Sequence, residues 1–124
     1  MSERLLFVYG TLREGLGNWR WALRGRAKKL GDLLLSGQYK MYDLGGFPGV
    51  VVIPESYGEL LGEVYSVPED VWNEIEYLEG YPTLFGRKAV KTPWGRAEMY
   101  VYNGPVTGRT EVSGGDWKKW IEVR

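Results

Sequence analysis

Two features of this chain combine residue types and spacing that could do chemistry. The first is Phe7-Val8-Tyr9-Gly10-Thr11-Leu12-Arg13, a short apolar strand running straight into a glycine. At such a stop the main chain can turn and aim consecutive N–H groups at an anion. Arg13 adds a guanidinium, which pairs well with carboxylate or phosphate. The second feature is Glu79, near the C-terminus of an amphipathic helix. At about 100° per residue, Val71, Ile75 and Leu78 share a stripe with Trp72 at its flank, and Glu79 projects between Ile75 and Trp72. Glu74, Glu76 and Tyr77 fall outside that stripe. Burial and the partial negative charge of a helix C-terminus both disfavour an ionised carboxylate, so its pKa should rise from about 4.3 towards neutrality. An anion-gripping turn plus an inward carboxyl outlines a small-molecule site with an internal base. Plainer readings stay open. Glu79 can turn to solvent from a frayed last turn, and Gly10 can merely reverse the strand while Thr11 caps the turn.

The rest of the composition narrows the chemistry. No cysteine and no histidine is present. Disulfides, thiol nucleophiles, zinc sites of the usual type and Ser-His-Asp arrangements are thereby excluded. A carboxylate, Lys, Tyr or the backbone must do the work in any enzyme, and Glu leads. Charge is balanced, with 16 Lys plus Arg against 16 Asp plus Glu. The one basic cluster, Arg24, Arg26, Lys28 and Lys29, reads as a solvated face, so no nucleic-acid partner is expected. No apolar run reaches the roughly 20 residues needed to span a membrane. Met1-Ser2-Glu3-Arg4 lacks a signal-peptide pattern, so a soluble cytoplasmic protein is expected. A chain of 124 residues suits one domain, 1–124, with one core.

Several elements must position these residues. Leu5 to Tyr9 reads as a strand and Gly10 to Asn18 as a loop, with Asn18 capping a short helix. Leu30 to Tyr42 is strand-like but interrupted at Gly31 and Gly37, which suggests bulges or a bend. Gly45-Gly46-Phe47-Pro48-Gly49 is a turn, followed by a short strand from Val50 to Ile53. Gly58 to Val67 is a strand ended by Pro68, which suits the first position of the helix reaching Glu79, with Gly80 as its C′ residue. Arg87 to Thr92 and Arg96 to Tyr102 form a hairpin around Pro93-Trp94-Gly95. Trp117 and Trp120 cover an open end of the sheet. The expected class is α+β, a small, curled, mixed β-barrel with a few short flanking helices.

In this order, Phe7-Val8-Tyr9-Gly10-Thr11-Leu12-Arg13, Gly62-Glu63-Val64-Tyr65 and Leu78-Glu79-Gly80-Tyr81-Pro82 resemble the gamma-glutamylcyclotransferase-like superfamily, most closely its gamma-glutamylamine cyclotransferase branch. Phe85-Gly86-Arg87 matches more loosely. The resemblance implies a reaction in which the α-amino group of a γ-glutamyl amine or peptide attacks its own γ-carbonyl. A 5-oxoproline ring closes and the amine leaves, with no metal or cofactor required. It further implies that Tyr9, Gly10, Thr11 and Leu12 hold the substrate by main-chain groups and that Glu79 is the proton acceptor. One departure is Phe85, where the family often has tyrosine; Arg87 remains as a structural or substrate-facing charge. Tyr100 and Tyr102 read better as sheet packing than as pocket walls. Two rival functions stand beside this one. The first is a non-catalytic module that binds a small carboxylate or amino acid. The second is an interaction protein whose Trp94 and Trp117 form an exposed patch.

Overall fold

The structure, a computed structural model, describes residues 3–123. Met1 and Ser2, read above for the absence of a signal pattern, lie outside them. In chain order the elements are β1 (Glu3–Val8), α1 (Gly17–Ala22), β2 (Lys28–Gly37), β3 (Tyr39–Asp43), β4 (Pro48–Val52), β5 (Gly58–Pro68), α2 (Glu69–Glu79), β6 (Phe85–Thr92), β7 (Gly95–Tyr102), β8 (Thr110–Glu111) and α3 (Trp117–Val123). A five-stranded sheet has the order β2-β5-β1-β7-β6, and a second sheet the order β4-β3-β8. β1 pairs antiparallel with β5 and parallel with β7, so it is the central strand of the larger sheet.

Strand β1 is apolar along most of its length because both of its faces are covered. Side chains alternate across a strand. Leu6 and Val8 pack into a cluster with Ala22 and Leu23 and with Val71, Trp72 and Ile75 of α2. Phe7 and Tyr9 face the other way, into a cluster with Tyr39, Met41, Val50 and Trp117. The same alternation runs along β7, where Met99 joins the second cluster and Tyr100 the first.

The α+β sheet curls as expected, and its barrel stays open, with no ladder joining the edges β2 and β6 among the described residues. The indole of Trp94, from the β6–β7 turn, bridges part of that gap by lying against Gly31. A Cβ at Gly31 would come within 2.6 Å of its ring, so only glycine admits this contact. The register shifts between Lys29 and Gly31, the bulge suggested by the glycine. The segment from Leu30 to Tyr42 divides into β2 and β3, which belong to different sheets.

The position of Asn18 differs from expectation. Helix α1 starts two residues earlier, with Leu16 at its N-cap and no side-chain cap. Asn18 therefore lies within the first turn, and its Nδ2 donates to Thr11 Oγ1 at 2.7 Å. Pro68 is the N-cap of α2 and not its first helical residue. Gly80 takes the left-handed conformation, φ 63°, and closes the helix as expected. Tyr81 N–H reaches back to Glu76 C=O at 3.0 Å, the six-to-one bond of a Schellman motif.

Trp117 is buried, 1% exposed, so it forms no surface patch with Trp94. Among the described residues no helix is long and apolar enough to cross a membrane.

Candidate active site

The topology explains how Glu79 meets the first turn. β5 runs antiparallel to β1 and ends with Pro68 opposite Glu3, at the start of β1. Helix α2 then returns along the sheet for 11 residues, about 16 Å of rise, against about 20 Å for the strand. Its C-terminal end thus arrives beside the C-terminal end of β1, where the chain leaves the sheet at Tyr9. Gly80 stops the helix there.

A hollow lies between the two. Its walls are residues 7–12, Phe47, Pro48, Glu79 and Tyr100, and its empty space is about 390 Å³ with the open mouth included. The structure therefore brings Tyr9, Gly10, Thr11, Leu12 and Glu79 to the walls of one open hollow. The turn is closed by Arg13 N–H to Gly10 C=O at 2.9 Å, and Trp19 N–H donates to Thr11 C=O at 3.2 Å. Among the described residues, the bonds that hold this turn use no N–H from Gly10, Thr11 or Leu12. Tyr9 donates its phenol hydrogen to Tyr100 C=O at 2.7 Å, tying the end of β1 to β7. Burial, with the Glu79 charge nearby, raises the Tyr9 pKa well above its ordinary value, so this donor stays protonated.

Glu79 is half-buried, and of the two plainer alternatives its outward turn is the one the structure sets aside, because its side chain lines the cavity. Burial raises its pKa from 4.5 to about 7. An uncompensated carboxyl in poorly solvated surroundings resists ionisation, which accounts for the direction. Among the described residues, Tyr9 and Tyr100 are the other titratable side chains in the wall, and burial holds both phenols neutral.

Arg13 does not face the cavity as an anion partner. It is 7% exposed and points the other way, its Nε 3.2 Å from Glu63 Oε2 and its Nη1 2.9 Å from Asp116 Oδ1. Glu63, 2% exposed, also accepts Glu14 N–H at 2.7 Å and the Tyr65 hydroxyl at 3.2 Å. Arg13 therefore anchors the turn from beneath. Arg87 is likewise structural. It pairs with Glu76 Oε2 at 2.9 Å, donates to the Tyr81 hydroxyl at 3.0 Å and stacks over the Tyr81 ring at 4.4 Å. Phe85 is buried against Tyr102.

Tyr100, Phe47 and Pro48 are wall residues that the sequence reading did not assign. Tyr100 packs in the cluster that β1 shares with α2, and also lines the cavity, because α2 covers that face of β7. Pro48 rests against Gly10 so closely that an added Cβ would lie 2.6 Å from its Cγ and 2.9 Å from its Cδ. The proline ring is rigid and buried. Gly10→Ala is accordingly expected to cost about 1–3 kcal/mol through overpacking. Urea denaturation measures this, and an unchanged midpoint would mean that Pro48 gives way freely.

The curled sheet, with a Tyr-Gly-Thr-Leu turn facing a half-buried glutamate across a hollow, defines an α+β fold of the cyclotransferase-like class. The chain belongs to the family described as "Gamma-glutamyl cyclotransferase, AIG2-like", whose model matches residues 6–119. It is 38% identical over 112 residues to the gamma-glutamylcyclotransferase family protein YtfP of Escherichia coli strain K12, covering 90% of this chain and 94% of that one. The solution structure of Escherichia coli ytfP superposes with a TM-score of 0.75 at 34% identity, over 91% of this chain and 95% of that one. The crystal structure of protein PH0828 from Pyrococcus horikoshii gives a TM-score of 0.79 at 28% identity, over 96% and 93%.

Proposed function

We propose that this protein is a cyclotransferase that converts a small γ-glutamyl amine or peptide to 5-oxoproline and releases the amine. One observation carries the reading. A carboxyl held near neutrality by burial shares a hollow with a turn whose own hydrogen bonds, among the described residues, leave the N–H groups of Gly10, Thr11 and Leu12 unused.

The substrate's α-nitrogen arrives as an ammonium, and the Glu79 carboxylate takes a proton from it. The freed lone pair attacks the γ-carbonyl carbon, a carbon–nitrogen bond forms, and the π electrons move onto oxygen. When that oxygen re-forms the carbonyl, the bond to the departing nitrogen breaks, and the Glu79 carboxyl returns a proton to it. In all, the ring nitrogen loses two protons on passing from ammonium to amide. The leaving nitrogen gains two on passing from amide to ammonium, so no outside reactant is consumed. Holding one molecule folded replaces an encounter between two, which supplies much of the rate. The N–H groups of the turn grip the α-carboxylate or the developing oxyanion.

Among the described residues, the wall contains no cationic side chain. A leaving group with a carboxylate beside its nitrogen would find no opposite charge there, which favours a plain amine over an α-amino acid.

The test is incubation of purified protein with a panel of γ-glutamyl amines and dipeptides, scoring 5-oxoproline. Binding without turnover of any compound would favour the non-catalytic module. Because the ionised carboxylate is the active form, kcat/KM should rise with pH through about 7, the value at which Glu79 titrates. A profile flat between pH 5 and 9 would remove Glu79 from the role of base.

A further inference from the structure

We infer that Phe47 determines which amine leaves, and that the preferred substrates carry an apolar aliphatic or aromatic body on the departing nitrogen. The inference rests on the cyclotransferase reading and extends it to the part of the substrate beyond the γ-carbonyl.

Three observations carry it. First, the hollow opens beside Phe47. Phe47 is 39% exposed, more than any other residue of the wall: Thr11 and Glu79 are half-buried, and Val8, Leu12, Pro48 and Tyr100 are buried. Second, the reacting atoms must lie inward, because the α-nitrogen and the γ-carbonyl carbon both have to reach Glu79 and the turn at Gly10. The departing body is what remains, and it projects through the mouth across Phe47. Third, the turn that carries Phe47 is braced. Gly45 and Gly46 adopt φ of 104° and 103°, a conformation that other residues rarely enter. Asp43 Oδ1 accepts their N–H groups at 2.9 and 3.2 Å. Leu44 N–H donates to Phe47 C=O at 2.9 Å, and Asp43 Oδ2 accepts Trp120 Nε1–H at 2.9 Å.

An aromatic side chain carried on a braced turn at a mouth needs less ordering, when it meets an apolar group, than one on a loose loop. Preorganisation of that kind yields affinity that a floppy side chain would not. The ring offers no charge and no hydrogen-bond donor, so it rewards apolar bulk and little else. Each apolar increment in such a contact is typically a matter of tenfold or more in discrimination.

The experiment compares kcat/KM for 5-oxoproline release from γ-glutamyl benzylamide and γ-glutamyl methylamide. The wild-type protein, Phe47→Ala and Phe47→Leu are assayed, with melting temperatures recorded for each. The wild type should favour the benzylamide by about tenfold. In Phe47→Ala the ratio should fall to about twofold or less, and Phe47→Leu, which keeps an apolar body, should retain part of the preference. Phe47→Leu also serves if the alanine variant melts early. Release with the same ratio in wild type and Phe47→Ala overturns the assignment of Phe47 and leaves the reaction standing. So does a wild type that favours the methylamide. No 5-oxoproline from either compound overturns the cyclotransferase reading, and this inference with it.

Discussion

Glu79→Gln is expected to lower 5-oxoproline release by about 10²–10⁴-fold, the usual contribution of a positioned acid–base group. The amide keeps the length and shape of the glutamate but can neither take a proton from an ammonium nor return one. Substrate affinity should change far less, because the turn at residues 10–12 is untouched. Stability gives an independent check. The folded protein holds the Glu79 proton more tightly than the unfolded chain does, since burial raises the pKa from 4.5 to about 7. A carboxyl of this kind favours the folded state below the unfolded pKa, and that advantage is lost as pH rises through about 7. The glutamine variant carries no such charge. It should match the wild type near pH 4.5 and exceed it at pH 8, by on the order of 1–2 kcal/mol. Urea melts at the two pH values measure the difference. A large loss of stability at pH 8 would mean that Glu79 is structural.

Arg13→Leu should have the largest effect on folding, lowering stability by about 3–5 kcal/mol and the melting temperature by about 10–15 °C. The reason is the partner left behind. Glu63 is sealed at 2% exposure, and without Arg13 its remaining cation is Lys118, 3.6 Å away. Burying a carboxylate that has lost its guanidinium is far more costly than burying neither. The double variant Arg13→Leu, Glu63→Leu should therefore recover part of the loss, although Glu14 N–H and the Tyr65 hydroxyl then lose their acceptor. Calorimetry of the three variants completes the cycle. If Arg13→Leu abolished turnover at an unchanged melting temperature, the guanidinium would be facing substrate after all.

The two halves of the site were legible in the sequence because each is written in one continuous stretch. Strand β1 announces itself as an apolar run ending in glycine, and α2 by its stripe and its closing Gly80. A carboxyl on the wrong side of a helix is visible from periodicity alone. Long-range partners are not. Arg13 finds Glu63 and Asp116 at sequence separations of 50 and 103, and no local pattern distinguishes a guanidinium bound inward from one facing a ligand. Tyr100 shares its phase of β7 with Glu98 and Tyr102, so whether that face is wet depends on what packs over it. Only the return path of α2 decides this. Phe47 was read through its glycine neighbours as a turn, which is correct, but nothing in a turn signal says what the turn overlooks. The cap of α1 lies two positions before Asn18, within the ordinary uncertainty of helix ends.

Both banks of the hollow are moored to helix α3 and the residue before it. Asp116, at its start, holds the guanidinium beneath the first turn, and Trp120 holds the aspartate that braces Phe47. The turn at residues 10–13 and the turn that carries Phe47 are thus tied to one segment behind them. Variation at Asp116 or Trp120 would therefore be felt at both turns of the site, although neither side chain lines the hollow.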